Sequence, residues 1–201
     1  MQVPPPQTST AMDRTPLPRL FLLVLLLAVP PLAAGPLEDG KQAFRNGDYQ
    51  GARELWQLLA DDGDSRAQYN LALLYHGGLG VEKDLGEARR WYTLAAQQGN
   101  ADAQYNLGVL YAQGLGVMRS NREAALWWRQ AAAQGHAPAQ FNLGVMYAYG
   151  RGVEKDAGMA LQLWEKSARQ GYTDAAKALA RVYEEGLLGV EKDPDAAARW
   201  K

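Results

Sequence analysis

The stretch AQYNLALLY, residues 67–75, returns as AQYNLGVLY at 103–111 and as AQFNLGVMY at 139–147. The copies lie 36 residues apart, and a weaker copy begins at Ala175. A fixed internal period of about 20 to 50 residues is typical of solenoid proteins, in which each unit buries its apolar face against its neighbours. The repeat therefore predicts a stack of similar units instead of one globular core.

Each unit contains two patterns that predict helices. In the first, Leu71, Leu74 and Tyr75 are spaced at i, i+3 and i+4, which places apolar side chains on one helix face. In the second, Ala88 and Trp91 begin a run in which small and large residues alternate, as the packing of neighbouring helices requires. Each unit is thus predicted to be a helical hairpin.

Small and very large residues recur at fixed places in these helices. A glycine inside a helix costs about 1 kcal/mol relative to alanine, so Gly108 and Gly144 predict a close approach of the partner helix. Tryptophans at recurring helix positions are predicted to lie in the core and not to form a carbohydrate platform. They are Trp56, Trp91, Trp127, Trp128, Trp164 and Trp200.

Glycine-rich loops separate the two helices of each unit. One glycine is predicted to end each first helix in the left-handed conformation: Gly78, Gly114, Gly150 and Gly186. One polar residue is predicted to cap each second helix: Asp84, Ser120, Asp156 and Asp193. Glu87 and Glu123 follow three residues after their caps and predict two capping boxes. The fourth loop has one extra residue, so its geometry is expected to differ.

The N-terminus has the three-part plan of a secretory signal peptide. Arg14 and Arg19 precede an apolar run, 20–29, and small residues follow at 33–35. Cleavage is predicted near residue 34, with Met12 as an alternative start. The run is shorter than the ~20 residues that cross a bilayer, and the alternative is an uncleaved inner-membrane anchor. The predicted divisions are a signal peptide at 1–34, an N-terminal half-repeat or cap at 36–66, repeats at 67–102, 103–138 and 139–174, and an incomplete repeat at 175–201.

Composition narrows the possible chemistry. The net charge is −1, with no basic stripe that would suggest nucleic acid. The absence of cysteine excludes disulfides, thiolate metal sites and a cysteine nucleophile. His76 and His136 stand at different repeat positions, where they are expected to be surface or capping residues and not metal ligands. We therefore predict no enzyme activity, no metal and no cofactor.

The residues at 103–139, AQYNLGVLYAQGLGVMRSNREAALWWRQAAAQGHAPA, resemble the Sel-one-like repeat, a relative of the tetratricopeptide repeat. The matching pattern is Ala, Leu-Gly, Tyr, Gly-x-Gly-Val, Ala, Trp, Ala-Ala and Gly. The fourth copy departs from it at Lys177, Ala178 and Arg181. The resemblance implies an all-α fold, a right-handed α-solenoid of stacked antiparallel helical hairpins.

The resemblance also implies a binding site. In tetratricopeptide proteins the first helix of each repeat lines a concave groove, and some carry an asparagine there that binds a peptide. Asn70, Asn106 and Asn142 occupy one such position, and an amide both donates and accepts as a peptide backbone requires. The alternative is that each asparagine bonds to the neighbouring repeat. Further groove positions predicted by the alignment are Tyr69, Tyr105, Phe141, Leu73, Val109, Val145, Asp102, Gln113 and Tyr149.

The predicted function is an exported scaffold or adaptor, bacterial and periplasmic or secreted, that binds a protein or peptide in this groove. Leu73, Val109 and Val145, if exposed, form a stripe that suits a partner. One alternative is a structural envelope module that self-associates through its C-terminal end. Another is a hydrolase, since cysteine-rich relatives have been described as β-lactamase-like, but their cysteines are missing here.

Overall fold

The computed structural model describes residues 35–201 together with Met1, and the predicted signal peptide lies outside the described residues. Residues 35–201 belong to one compact unit. All regular secondary structure in the described part of the chain is helical, and this part contains no strand. Its helices are α1 (Pro36–Arg45), α2 (Tyr49–Asp61), α3 (Ser65–Gly77), α4 (Leu85–Gln97), α5 (Ala101–Gln113), α6 (Asn121–Ala133), α7 (Ala137–Tyr149), α8 (Ala157–Arg169), α9 (Thr173–Glu185) and α10 (Pro194–Ala198).

The helices pack in chain order. Each helix makes its main contacts with the helix before it and the helix after it. Hairpins form from α3 and α4, α5 and α6, and α7 and α8, and neighbouring hairpins stack through contacts such as α4 with α5. The prediction of an all-α solenoid of stacked hairpins is confirmed. The segment 36–66, predicted as a half-repeat, holds two helices, and α1 is shorter than the first helices that follow.

The helix ends follow the predicted residues. Gly78, which ends α3, has φ 68° and ψ 38°, a left-handed conformation that glycine adopts without strain from a side chain. The equivalent glycines of α5, α7 and α9 do the same. Asp84 caps α4 by accepting hydrogen bonds from the backbone N–H groups of Gly86 and Glu87. These predictions are confirmed.

The two capping boxes form only in half. The caps accept from the backbone N–H groups of Glu87 and Glu123 as expected. The backbone N–H groups of the caps, however, bind the preceding first helix: Ser120 N donates to the Tyr111 carbonyl at 2.9 Å. Glu87 instead forms an ion pair with Arg90 at 2.9 Å. The reciprocal bond was wrongly predicted because the loop folds back onto the first helix and takes the donor.

The second glycine of each loop joins neighbouring units. Gly116, at φ 64°, lies so close to the start of α4 that a β-carbon there would be 2.6 Å from Leu85 Cβ and 2.8 Å from its carbonyl carbon. Gly80 and Gly152 stand equally close to the starts of α2 and α6. We call this contact the loop clasp. In the longer fourth loop, a β-carbon at Gly189 would have no described atom within 4 Å, and Leu188 takes a positive φ of 57°.

Glycine and tryptophan also pair inside the hairpin of α5 with α6 and the hairpin of α7 with α8. A β-carbon at Gly108 of α5 would lie 2.5 Å from Cδ1 of Trp128 of α6, and Gly144 faces Trp164 in the same way. The Trp128 indole N–H donates to the Tyr105 carbonyl at 3.0 Å. The predicted close helix approach is therefore confirmed. Trp56, Trp91, Trp128 and Trp164 are buried, whereas Trp127 and Trp200 are half-buried.

A row of buried glutamines connects one unit to the next. The Gln104 side chain of α5 donates to the Ala96 carbonyl of α4 at 3.0 Å and accepts from Gln134 at 2.8 Å. Gln68 and Gln140 make the equivalent bonds. Each of these carbonyls, at the end of a second helix, also accepts a backbone N–H from a loop glycine, such as Gly99 N to the Ala96 carbonyl at 3.0 Å, so the glutamine fills its second acceptor position. Their role was not predicted, although the glutamine stands in the three strong copies of the opening stretch.

Candidate functional site: the exposed side of the first helices

The predicted site residues all lie on the first helices α3, α5 and α7, and none of them is fully buried. Positions spaced four and three residues apart, such as Asn70 and Leu73, share one side of a helix. We call this side the groove face. It comprises Asn70, Asn106, Asn142, Tyr69, Tyr105, Phe141, Leu73, Val109, Val145, Asp102, Gln113 and Tyr149, together with the equivalent Ala178 and Arg181 of α9.

Aromatic side chains connect successive first helices along the groove face. Tyr105 and Phe141 each contact the residue that immediately precedes the next first helix. The ring centroids are 4.8 Å apart for Tyr105 and His136, and 5.5 Å apart for Phe141 and Tyr172. Burial raises the pKa of Tyr69, the Asp102 carboxylate raises it further, and a hydrogen bond with Asn106 lowers it. The aromatic row is therefore partly structural, since it holds neighbouring units together.

The three asparagines do not have equivalent surroundings. The amide nitrogen of Asn70 is covered by protein and has no hydrogen-bond partner among the described residues. Asn106 donates to the Asp102 carbonyl at 3.1 Å within its own helix. Asn142 is part-exposed and borders a cleft of about 180 Å³. Asn142 therefore borders open space that a ligand could enter.

Leu73, Val109 and Val145 are half-buried and pack against the hydrophobic core. They do not form a freely exposed apolar stripe. Val145 also borders two clefts of the groove face. The smaller cleft lies beside α5, and the larger one lies beside α9.

The larger cleft, of about 390 Å³, lies between α7 and α9. Trp164, Phe141 and Val145 line it with apolar surface. Tyr149, with 65% of its surface exposed, and Leu187, with 38% exposed, also line it. Apolar concavities with a few polar groups are the surfaces that proteins use to bind side chains of a ligand.

The two histidines have local structural contacts. His136 caps α7, because its Nδ1 accepts the backbone N–H of Ala139 at 3.2 Å, and its Nε2 lies 3.2 Å from an Asp102 carboxylate oxygen. His76 lies beside Tyr92, with 3.3 Å between Nδ1 and the hydroxyl oxygen. Within the described residues, no group of histidine and acidic side chains is arranged to hold a metal ion.

His76 is expected to make stability depend on pH. Burial lowers its pKa below the ordinary value of 6.5, and the nearby Lys83 lowers it further. The unfolded chain therefore takes up this proton first, so the free energy of unfolding falls as pH drops below about 6.5. The test variant is His76→Ala, since alanine stands at the equivalent positions 112 and 148. Between pH 7.5 and 5.5, the free energy of unfolding measured in urea should fall less in this variant than in the wild type. An equal loss in both proteins would contradict this assignment.

Comparison with known proteins places these features in a family. The model of the Sel1 repeat matches residues 33–64, 65–100, 101–136, 137–172 and 173–200. Among solved structures, a Sel1 repeat protein from Oxalobacter formigenes is 35% identical, with a TM-score of 0.76, over 82% of this chain and 67% of that one. No match is found among curated proteins.

Two further structures share the fold. A protective antigen present in uropathogenic Escherichia coli strains is 33% identical, with a TM-score of 0.76. The match covers 82% of this chain but only 36% of the antigen, so the chain spans about a third of that protein. A Sel1 repeat protein from Klebsiella pneumoniae, 22% identical over 82% of both chains, has a TM-score of 0.54 and supports the fold alone. The matched repeats cover the whole described solenoid, and the chain belongs to the Sel1 repeat family.

Proposed function

We propose that this protein is an exported scaffold that binds a protein or peptide partner on its groove face. Sel1 repeats are typically protein-interaction scaffolds. The observation that carries the proposal is the larger cleft, where Tyr149 and Leu187 leave apolar surface exposed beside α7 and α9. Export rests on the signal-like N-terminal sequence. In the described residues, no helix has the length and apolar character needed to cross a bilayer.

The groove face suits an extended peptide better than a small polar substrate. It follows successive helices, so one ligand can contact several units at once. It combines aromatic and aliphatic surface with isolated amide and charged groups, a composition typical of protein interfaces. The part-exposed amide of Asn142 can both donate to and accept from a peptide backbone.

A random-peptide selection tests this function. Immobilised 35–201, with its helicity checked by circular dichroism, selects peptides from a displayed library. The selected peptides are then measured against a groove variant, Asn142→Ala/Tyr149→Ala. The matched control is Leu126→Ala/Met159→Ala, which removes exposed apolar surface from the second helices α6 and α8.

We expect binding to fall at least tenfold in the groove variant and to be unchanged in the control. Loss in the control alone would move the interface to the second helices and refute the proposed site. Light scattering of the unliganded protein separates peptide binding from the alternative of self-association, because only self-association gives a mass that rises with concentration.

A further inference from the structure

We infer that the part of the groove face between α5 and α9 recognises an acidic peptide segment that carries one bulky apolar side chain. This inference rests on the proposed function and specifies its partner. The apolar side chain would enter the larger cleft, and the acidic residues would pair with three arginines that line the two clefts: Arg119, Arg151 and Arg181.

The larger cleft exists because the fourth repeat departs from the pattern of the others. Ala178 stands where the other units carry an asparagine, so less side chain fills the space between α7 and α9. The extra residue of the fourth loop brings Leu187 and Leu188 to the lining of this cleft. At about 390 Å³ the cleft has room for a large aliphatic or aromatic side chain, and its floor includes the buried Trp164.

The charge of this region also comes from departures in the repeat. The first two loops carry Leu79 and Leu115, which pack against the core. The third loop carries Arg151 at the equivalent position, exposed and with its guanidinium 5.0 Å from the centre of the Tyr149 ring. Arg181 replaces the valine of the two preceding units, and 69% of its side chain is exposed. Two units thus carry a cation where the others carry an apolar residue, Arg151 at the smaller cleft and Arg181 at the larger one.

These cations have few internal partners. Within residues 35–201, Arg181 pairs with Glu185 at 2.9 Å, and Glu184 pairs with Lys201. Neither Arg119 nor Arg151 has a carboxylate of the described residues within 4.0 Å. An arginine that makes no internal ion pair is free to bind a carboxylate of a ligand with two parallel hydrogen bonds. Charge complementarity therefore favours an acidic partner.

The arrangement also indicates how the ligand would run. Arg119, Arg151 and Asn142 border the smaller cleft, and Tyr149 and Arg181 border the larger one, with Val145 between them. A peptide that crosses Val145 would place acidic residues on either side of its apolar residue. The amide of Asn142 would bind the backbone of the peptide, a contact that does not depend on the side chains of the ligand.

Fluorescence anisotropy with synthetic peptides tests this inference. The probe peptide is acetyl-Gly-Asp-Glu-Phe-Asp-Glu-Gly-amide carrying a fluorescein label. One comparison peptide has lysine at all four acidic positions, and the other has alanine in place of phenylalanine. We expect the acidic phenylalanine peptide to bind roughly tenfold or more tightly than either, and its affinity to fall as salt rises.

Charge reversal identifies the cations. The variant Arg151→Glu/Arg181→Glu should bind the acidic peptide at least tenfold more weakly than the wild type does, and it should bind the lysine peptide more tightly. The matched control, Arg89→Glu/Arg122→Glu, changes the net charge equally on the exposed surface of α4 and α6. Equal losses in both variants would mean non-specific attraction and overturn the inference, as would failure of the acidic peptide to bind.

The outcomes separate this inference from the function on which it rests. If library peptides lose binding in the groove variant but show no acidic preference, the scaffold function stands and the acidic partner is refuted. If no peptide depends on the groove face, both fail. A protein mass that doubles in wild type and not in Arg151→Glu/Arg181→Glu would show that a second copy occupies the cleft, which also overturns the peptide partner.

Discussion

Alanine at Gly116 is expected to lower the free energy of unfolding by about 3 kcal/mol. Two effects add here. The left-handed φ of 64° costs an alanine roughly 1–2 kcal/mol. Its β-carbon would also meet the α4 backbone, with 2.8 Å to the Leu85 carbonyl oxygen, and overpacking of this kind costs about 1–3 kcal/mol. A backbone cannot rotate aside as a side chain can. Urea unfolding followed by helical circular dichroism measures the change.

Gly135→Ala is the matched control for the loop clasp. Gly135 also has a positive φ, 87°, but a β-carbon there would have no described atom within 4 Å. Its substitution should therefore cost only the conformational part, about 1 kcal/mol. Equal losses at positions 116 and 135 would show that the loop clasp adds nothing to stability.

Replacement of Trp128 with alanine is expected to have the largest effect of all, about 3–5 kcal/mol. The indole is buried between α5 and α6, and its N–H donates to the Tyr105 carbonyl, so the substitution leaves a cavity and removes a buried hydrogen bond. Trp127 is the matched control, because it is the neighbouring residue and only half-buried. Its replacement should cost clearly less, and a reversed order would contradict the packing described here.

The pairing of Gly108 with Trp128 predicts that the effect of Gly108→Ala on the free energy of unfolding changes sign when the indole is removed. In the wild type, Gly108→Ala should destabilise the protein because the new methyl group meets the indole. In the Trp128→Ala background the indole is gone, so the same substitution should stabilise the helix by up to about 1 kcal/mol. A double-mutant cycle by urea unfolding measures this coupling. Additive effects would mean that Gly108 serves another purpose.

Much of the fold could be predicted because the same local physics recurs in every unit. Gly78 and Asp84 mark their helix ends by backbone conformation and side-chain capping, which depend on few neighbours. The part played by Gln104 was missed because a buried amide in a helix gives no periodic apolar signal. Its partner, the Ala96 carbonyl, becomes visible only when two hairpins are stacked.

The candidate site was less predictable, because the surroundings of its residues also depend on the neighbouring units. Identical residues at identical repeat positions were expected to behave alike, yet Asn70 is covered and Asn142 borders an open cleft. Their surroundings differ because the residues of the adjoining units differ, and alignment of one unit on another does not show this. Arg151 was not predicted as a site residue, because a single arginine in a loop forms no pattern in the sequence. Its position beside Tyr149 follows only from the three-dimensional arrangement.

The loop clasp has a consequence for how such a chain can lengthen. Duplication of a complete unit of 36 residues supplies both a new glycine and a new helix start, so every old contact survives and one more is added. Insertion of a single residue in a loop is different. The fourth loop carries such an insertion, and Gly189 has lost its neighbour. Gain of a whole repeat therefore preserves the existing contacts of this architecture. A one-residue insertion instead frees a loop from its contact with the neighbouring unit and creates new surface, as the cleft beside Leu187 illustrates.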